Sequence, residues 1–264
     1  MNTDNFVTAG KFLFDQYNAN KEMEPLPKHI HPESIEEAYS IQHEYLSLLS
    51  QTYGQPVGHK LAYTTNTMQE RAGLTEPCAG IILGSTVYQS PAVLKHTDYI
   101  KLGIECEIAV ILGSDITPAA SPHTIDSVGG SIECIMPAFE VVDFRTPDLQ
   151  GMERALTAIS TNISNAGVIL GDAIYDWQNL DLQGARGEMF INGESVGHGT
   201  GADIMGHPFA PLVWLANKFS AENKTIAASS VIITGSIVTP KYLSKDDSAT
   251  ITITNLGEAH LSVG

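Results

Sequence analysis

Ile104-Glu105-Cys106-Glu107-Ile108-Ala109-Val110-Ile111-Leu112 is a run of β-branched and large apolar residues without Gly or Pro, interrupted by two carboxylates two positions apart. That composition predicts a β-strand. A strand sends residues i and i+2 to one face, so Glu105 and Glu107 lie side by side while Cys106 turns into the core. Like charges on an apolar strand repel unless they are solvated or neutralised. The pair therefore reads either as a solvated face that becomes buried further along, or as part of a site for a hard cation. Mg²⁺ and Mn²⁺ are the cations that prefer carboxylate oxygens. Pro137-Ala138-Phe139-Glu140-Val141-Val142-Asp143 predicts a second strand with a third carboxylate in apolar surroundings. Glu105, Glu107 and Glu140 would form one face of an octahedral oxygen site, leaving positions for water and a chelating substrate. From spacing alone Glu140 reads equally as a partner of Arg145 or as an exposed residue.

Around this pair of strands the chain is polar and helical first, then dominated by strands. Residues 6–17 predict a short amphipathic helix. Ser34 and Glu37 predict a capping box for a helix that buries Ile35, Ala38, Tyr45, Leu46 and Leu49. Val57 to Tyr63 reads as a strand, and Thr67 with Glu70 as the start of a further short helix. Residues 125–134 predict another helix, and Ala166 to Leu170 a short strand. Asn192-Gly193 between apolar residues predicts a two-residue hairpin. His207-Pro208 opens a helix, with His207 as cap or sheet contact. Val231 to Val238 and the strictly alternating Ala249 to Thr254 predict terminal strands. The expected architecture is α+β. Residues 1–89 form an N-terminal helical and extended region packed on the core, and residues 90–264 one compact catalytic unit.

A hydrophobic content of 43% with 17% charged residues describes a globular chain. The formal net charge of −16 argues against nucleic acid or an anionic membrane as partner, since phosphate contacts need clustered Lys and Arg. An anionic small molecule remains compatible if a cation reverses the sign locally. The three cysteines have no C-x-x-C spacing and indicate neither a disulfide framework nor zinc. The first residues carry no secretory pattern and no segment reads as a membrane span, so cytoplasmic location is expected.

Lys60, between Val57 and Leu61, reads as a surface lysine at a strand edge or as an acid/base group. In the second case desolvation or a nearby metal would lower its pKa. His59 and His198 read as structural or surface histidines, and Arg145 as the partner of Asp143. Thr234 and Ser236, at a Gly-containing strand end, are candidates for lining a pocket.

Gly58-His59-Lys60-Leu61-Ala62-Tyr63-Thr64-Thr65, Ile104 to Ala109 and Pro137 to Arg145 occur in this order. They are followed by Ala166 to Gly171, Gly206-His207-Pro208, Trp214 to Asn217, Thr234-Gly235-Ser236 and Leu256-Gly257. Together they resemble the 2-keto-4-pentenoate hydratase and 4-oxalocrotonate decarboxylase group of the fumarylacetoacetate hydrolase superfamily, from about residue 35 to the end. The resemblance implies a mixed β-roll or barrel-like core and a Mg²⁺- or Mn²⁺-dependent site with Glu105, Glu107 and Glu140 as ligands. It implies Lys60 beside the substrate, as proton shuttle or as partner of the substrate carboxylate. Homo-oligomeric assembly is also implied.

Two departures from the group's pattern concern the second half of the site. The group's P-D-F-G segment appears as Pro77-Cys78-Ala79-Gly80, so a thiol replaces an acid, with Glu76 as the nearest substitute for a catalytic role. The group's D-N-A-S appears as Thr161-Asn162-Ile163-Ser164, where Asn162 and Ser164, with Ser236, are expected to contact substrate. The implied reaction is hydration of a 2-hydroxy-2,4-dienoate to a 4-hydroxy-2-oxo acid in aromatic meta-cleavage catabolism. The alternatives are a 4-oxalocrotonate-type decarboxylase using the same metal-stabilised dienolate, for which a missing water-activating acid matters less, and a weakly active 2-oxo-acid binder.

Overall fold

The computed structural model describes all 264 residues. Leu102–Leu112 is β5, and its alternation decides how the layers stack. Ile104, Cys106, Ile108, Val110 and Leu112 belong to the largest apolar cluster, which also holds Met189, Ile251, Ile253, Ala259 and Leu261. Ala109, of opposite parity, packs instead with Met136, Ala138, Val168 and Ile233. A strand covered on both faces needs apolar residues at nearly every position, and β5 supplies them except at its two glutamates.

The strands form two sheets. The larger runs β2 (Cys78–Leu83), β1 (Pro56–Ala62), β10 (Val231–Tyr242), β5, β6 (Ile132–Asp143), β7 (Asn165–Leu170) and β3 (Val87–Gln89). It is mixed: β1 pairs parallel with β10 and β3 parallel with β7, while the central pairs are antiparallel. The smaller runs β4 (Ala92–Leu94), β12 (Gly257–Val263), β11 (Ser248–Ile253), β8 (Arg186–Ile191) and β9 (Glu194–Thr200). The large apolar cluster joins the two, as expected for an α+β roll. The Asn192-Gly193 hairpin forms between β8 and β9 with both residues at positive φ, 52° and 83°.

Helices α1 (Thr3–Asn18) and α2 (Ile35–Tyr53) pack through Ala9, Leu13, Tyr45, Leu46 and Leu49. The Ser34 hydroxyl accepts from Glu37 N, but the Glu37 carboxylate turns to Glu33 N and the amino terminus, so the capping box is half formed. Gln42 of α2 donates to Ala79 O of β2 and to Ile159 O of α5 (Gly151–Ser160), tying the helical layer to the sheet edge.

Three expectations need correction. The division at residues 89/90 falls inside a sheet, because β1, β2 and β3 are strands of the larger one. The short helix α3 (Asn66–Ala72) is capped by Thr65, two residues before the expected start, through its hydroxyl and Met68 N. The helix expected over 125–134 is only α4 (Ile125–Gly129), since β6 begins at Ile132 and pairing with β5 outweighs local propensity. The remaining helix, α6 (Ala210–Ala221), has Phe209 as its N-cap without a side-chain capping bond. His207 Nδ1 accepts from Phe209 N just ahead of the helix, so it braces the turn that leads in and does not cap α6 itself.

Candidate metal centre and active site

Antiparallel register places Glu105 directly opposite Glu140 and Glu107 opposite Ala138, so all three glutamates share one face of the β5–β6 pair. One carboxylate oxygen from each lies within 4.8 Å of the other two. Glu107 and Glu140 are wholly buried and Glu105 is half-buried. Lys60 of β1 points to the same face, 3% exposed, with Nζ 3.0 Å from Glu140 Oε1.

The two buried carboxylates are each half satisfied. Glu107 Oε2 accepts from the backbone N–H of Gly235 at 2.6 Å, at a residue whose φ of +117° suits glycine. Glu140 Oε1 accepts from Lys60 and from Asn165 Nδ2 at 2.9 Å. Glu107 Oε1 and Glu140 Oε2 are buried without any partner. Leaving such oxygens bare is costly. Three carboxylates against one ammonium also carry a net charge of −2 when ionised, which a divalent cation cancels. The residues present thus fit a hard divalent ion, with Glu105, Glu107 and Glu140 as its ligands.

The electrostatics agree. Burial, then repulsion from Glu140, pushes Glu105 up to about 7. Burial, then Glu140 and Glu105, raises Glu107 well above the usual carboxylate range. Burial pulls Lys60 downward, but the attraction of Glu140, Glu105 and Glu107 outweighs it and the net shift is upward. Without a metal ion, the lowering expected from burial of Lys60 is present but outweighed. Its three carboxylate neighbours hold the proton on Nζ.

The other expected residues are distributed unevenly. The Ser236 hydroxyl lies beside Glu105 and donates to Val238 O. Thr234 is buried and donates to Ile108 O, so it braces β10 on β5. Asn162 is buried, and its amide is committed to the backbone of Ile81, which donates to Oδ1 and accepts from Nδ2. These bonds secure β2. Ser164 is half-buried at φ +58° and its hydroxyl makes no hydrogen bond within the chain. Thr161, where the resembling group has an acid, returns its hydroxyl to Thr157 O and Ala158 O.

Glu76 is exposed. Its carboxylate accepts from Trp214 Nε1 at 3.1 Å and makes no hydrogen bond to Lys60 or the three glutamates. Cys78 lies on the Lys60 side of β2, since Ala62 pairs with Cys78 and Lys60 with Gly80. Its thiol is buried and hydrogen-bonds Tyr39, and burial pushes it up to about 12. It is a neutral group at the place of an expected acid. Arg145 pairs with Asp143, as expected, and also donates to Tyr17 O and Asp98 O, stapling α1 to the core. Asn165 was not expected at the site: the sequence reading begins that strand at Ala166.

Residues 59–263 match the family model for the fumarylacetoacetate (FAA) hydrolase C-terminal region, and the chain belongs to the fumarylacetoacetate hydrolase family. Among curated relatives, the 2-oxo-hept-4-ene-1,7-dioate hydratase of Escherichia coli is 30% identical over 229 residues, 85% of each chain. The 2-hydroxyhexa-2,4-dienoate hydratase of Comamonas testosteroni is also 30% identical, over 87% of this chain and 86% of its own. Among solved structures, 4-oxalocrotonate decarboxylase from Pseudomonas putida G7, complexed with magnesium and adipate, superposes with a TM-score of 0.91. It shares 22% identity, covering 100% of this chain and 99% of that one, and this likeness speaks for the fold.

Proposed function

We propose that this protein is a Mg²⁺- or Mn²⁺-dependent lyase that adds water to a 2-hydroxy-2,4-dienoate of the 2-keto-4-pentenoate type, giving a 4-hydroxy-2-oxo acid. The observation that carries this reading is the pair of buried, partnerless oxygens on Glu107 and Glu140, set beside Glu105 and the ammonium of Lys60. The 30% identity to two dienoate hydratases supports the substrate class, and the names of these relatives support a place in aromatic meta-cleavage catabolism. When bound, the cation supplies Lewis-acid charge to a chelating 2-oxo carboxylate.

The chain's own residues supply the rest. Glu140 Oε1 orients Lys60 through their ion pair, and Lys60 is the proposed proton donor to substrate carbon, recovering its proton on turnover. Ser236, beside Glu105, and the free hydroxyl of Ser164 are the proposed polar contacts for substrate. Glu76, exposed and with only one oxygen bonded to Trp214, is the proposed contact for water. No helix is long and apolar enough to cross a membrane; we read the protein as a cytoplasmic homo-oligomer without a nucleic-acid partner.

One observation favours a second reading. With Cys78 a neutral buried thiol and Thr161 bound to its own helix, neither position offers a carboxylate to activate water. Decarboxylation of a 4-oxalocrotonate-type acid needs an electron sink but no activated water. Absorbance loss of 2-hydroxypenta-2,4-dienoate and CO₂ release from 2-oxohex-3-enedioate, each with Mg²⁺ or Mn²⁺, separate the two. Hydration is expected. Turnover of neither substrate, with metal-dependent binding of 2-oxo acids retained, would reduce the protein to a binder and overturn both enzyme readings.

A further inference from the structure

Asn165 reaches Glu140 because of a local irregularity in β7. Along β6, Glu140 pairs with Val168 and Val141 with Gly167, but Val142 pairs with Asn165 in place of Ala166. One step on β6 thus faces two residues on β7, which is a β-bulge. In a strand, side chains alternate between faces. Without the bulge, Val168 and Ala166 would share the face of Glu140, and Asn165 would point to the other. The extra residue brings Asn165 opposite Val142, whose parity is that of Glu140. The bulge therefore turns this amide onto the face of the carboxylates, where its Nδ2 donates to Glu140 Oε1 at 2.9 Å.

The residues leading into the bulge are strained. Asn162, Ile163 and Ser164 all have left-handed φ, of 57°, 50° and 58°. For a β-branched residue such as Ile163 this conformation is rare and unfavourable, and strain of this kind persists only where surrounding structure enforces it. Here the enforcement is visible. Asn162 is locked to both backbone groups of Ile81, and Ile163 is buried among Ala155, Leu156 and Ile159. An ordinary connection from α5 into β7 would need neither the left-handed turn nor the bulge.

We infer that Asn165 is a positioning residue for the metal centre: with Lys60 it saturates Glu140 Oε1 and so fixes Oε2 as the ligand atom. Glu107 is arranged in the same way, with Gly235 N–H on Oε2 and Oε1 left bare. Partners that hold one oxygen of a ligating carboxylate set its orientation and reduce the freedom lost on binding the ion. This inference rests on the metal reading of the three glutamates.

The test is Mn²⁺ titration calorimetry on the wild type, Asn165→Leu and Asn165→Ala, with the thermal midpoint of each metal-free protein measured alongside. Leu keeps the approximate size of the side chain without its donor, and Ala removes bulk as well, so a packing defect in one is not shared by the other. Both variants, folded at the temperature of titration, should bind Mn²⁺ about 10–100-fold more weakly than the wild type. A purely structural role would lower the thermal midpoint and leave the affinity of the folded protein unchanged. Wild-type affinity in either folded variant would overturn the role of Asn165 while leaving the metal centre standing. Absence of Mn²⁺ binding by the wild type would overturn both.

Discussion

Lys60 Nζ and Glu140 Oε1 are 3.0 Å apart, in an ion pair that water scarcely reaches. Removing one partner of a buried pair leaves the other uncompensated. Lys60→Met should therefore lower the stability of the metal-free protein by about 3 kcal/mol in urea denaturation. It should lower kcat by roughly 10²–10⁴-fold, the usual contribution of a positioned proton donor. Mn²⁺ binding should survive, because the three glutamates remain. A variant that keeps wild-type kcat would remove Lys60 from the chemistry.

The metal should be held less tightly in acid. Glu105 is pushed from 4.5 up to about 7, and Glu107 is also raised well above the usual carboxylate range, so below pH 7 protons compete with the ion for these oxygens. A carboxyl whose pKa is raised on folding stabilises the fold at low pH, and that stability is lost as pH rises through the folded value. The metal-free protein therefore loses stability between pH 4.5 and about 7 on account of Glu105. The rise in Tm on adding Mn²⁺ should be larger at pH 8 than at pH 6. Equal increments at the two values would contradict the raised pKa values.

His59 carries a separate pH dependence. Its ring packs edge-on against Phe219 at 5.2 Å, and burial lowers its pKa from 6.5 to about 4. Such a group is neutral in the fold and is protonated more readily in the unfolded chain, so stability falls as pH drops from 6.5 toward 4. Urea denaturation of His59→Gln across that window should show a shallower loss than the wild type. Parallel curves would mean that His59 stays wet.

Cys78 offers a gain-of-function experiment. If a missing acid limits water addition, Cys78→Asp should raise the hydration rate by about tenfold or more, the low end of what acid–base groups contribute being larger still. The same change buries a carboxyl among Ala38, Leu74 and Ile159 and should lower Tm. An unchanged hydration rate in a folded variant would show that this position does not supply the water-activating group.

The division between legible and hidden features follows the range of the interactions involved. The strand rule of period two placed Glu105 and Glu107 together and sent Cys106 to the core, because alternation is local. Glu140 joined them through antiparallel pairing of two strongly apolar strands. Lys60 stands out in an apolar segment, but the direction of its pKa shift depends on three carboxylates that meet it only in the fold. The bulge at Asn165–Ala166 has no local signature, so nothing in the sequence points to this amide, and the bonds of Asn162 to the Ile81 backbone are equally invisible there. Glu76 was chosen for proximity in sequence to Cys78, whereas the indole of Trp214, more than a hundred residues away, decides where its carboxylate points. The sheet membership of β1 and β3 rests on parallel partners far along the chain, β10 and β7, and no composition shift near residue 89 marks it.

If Glu105, Glu107 and Glu140 together hold one divalent ion, Mn²⁺ titration of Glu107→Ala must show it. Glu107 is wholly buried with one oxygen bare, so its removal takes away a ligand and leaves the Gly235 N–H without its acceptor. The expected result is a folded protein with no saturable Mn²⁺ binding. Mn²⁺ binding by Glu107→Ala with wild-type affinity would contradict it.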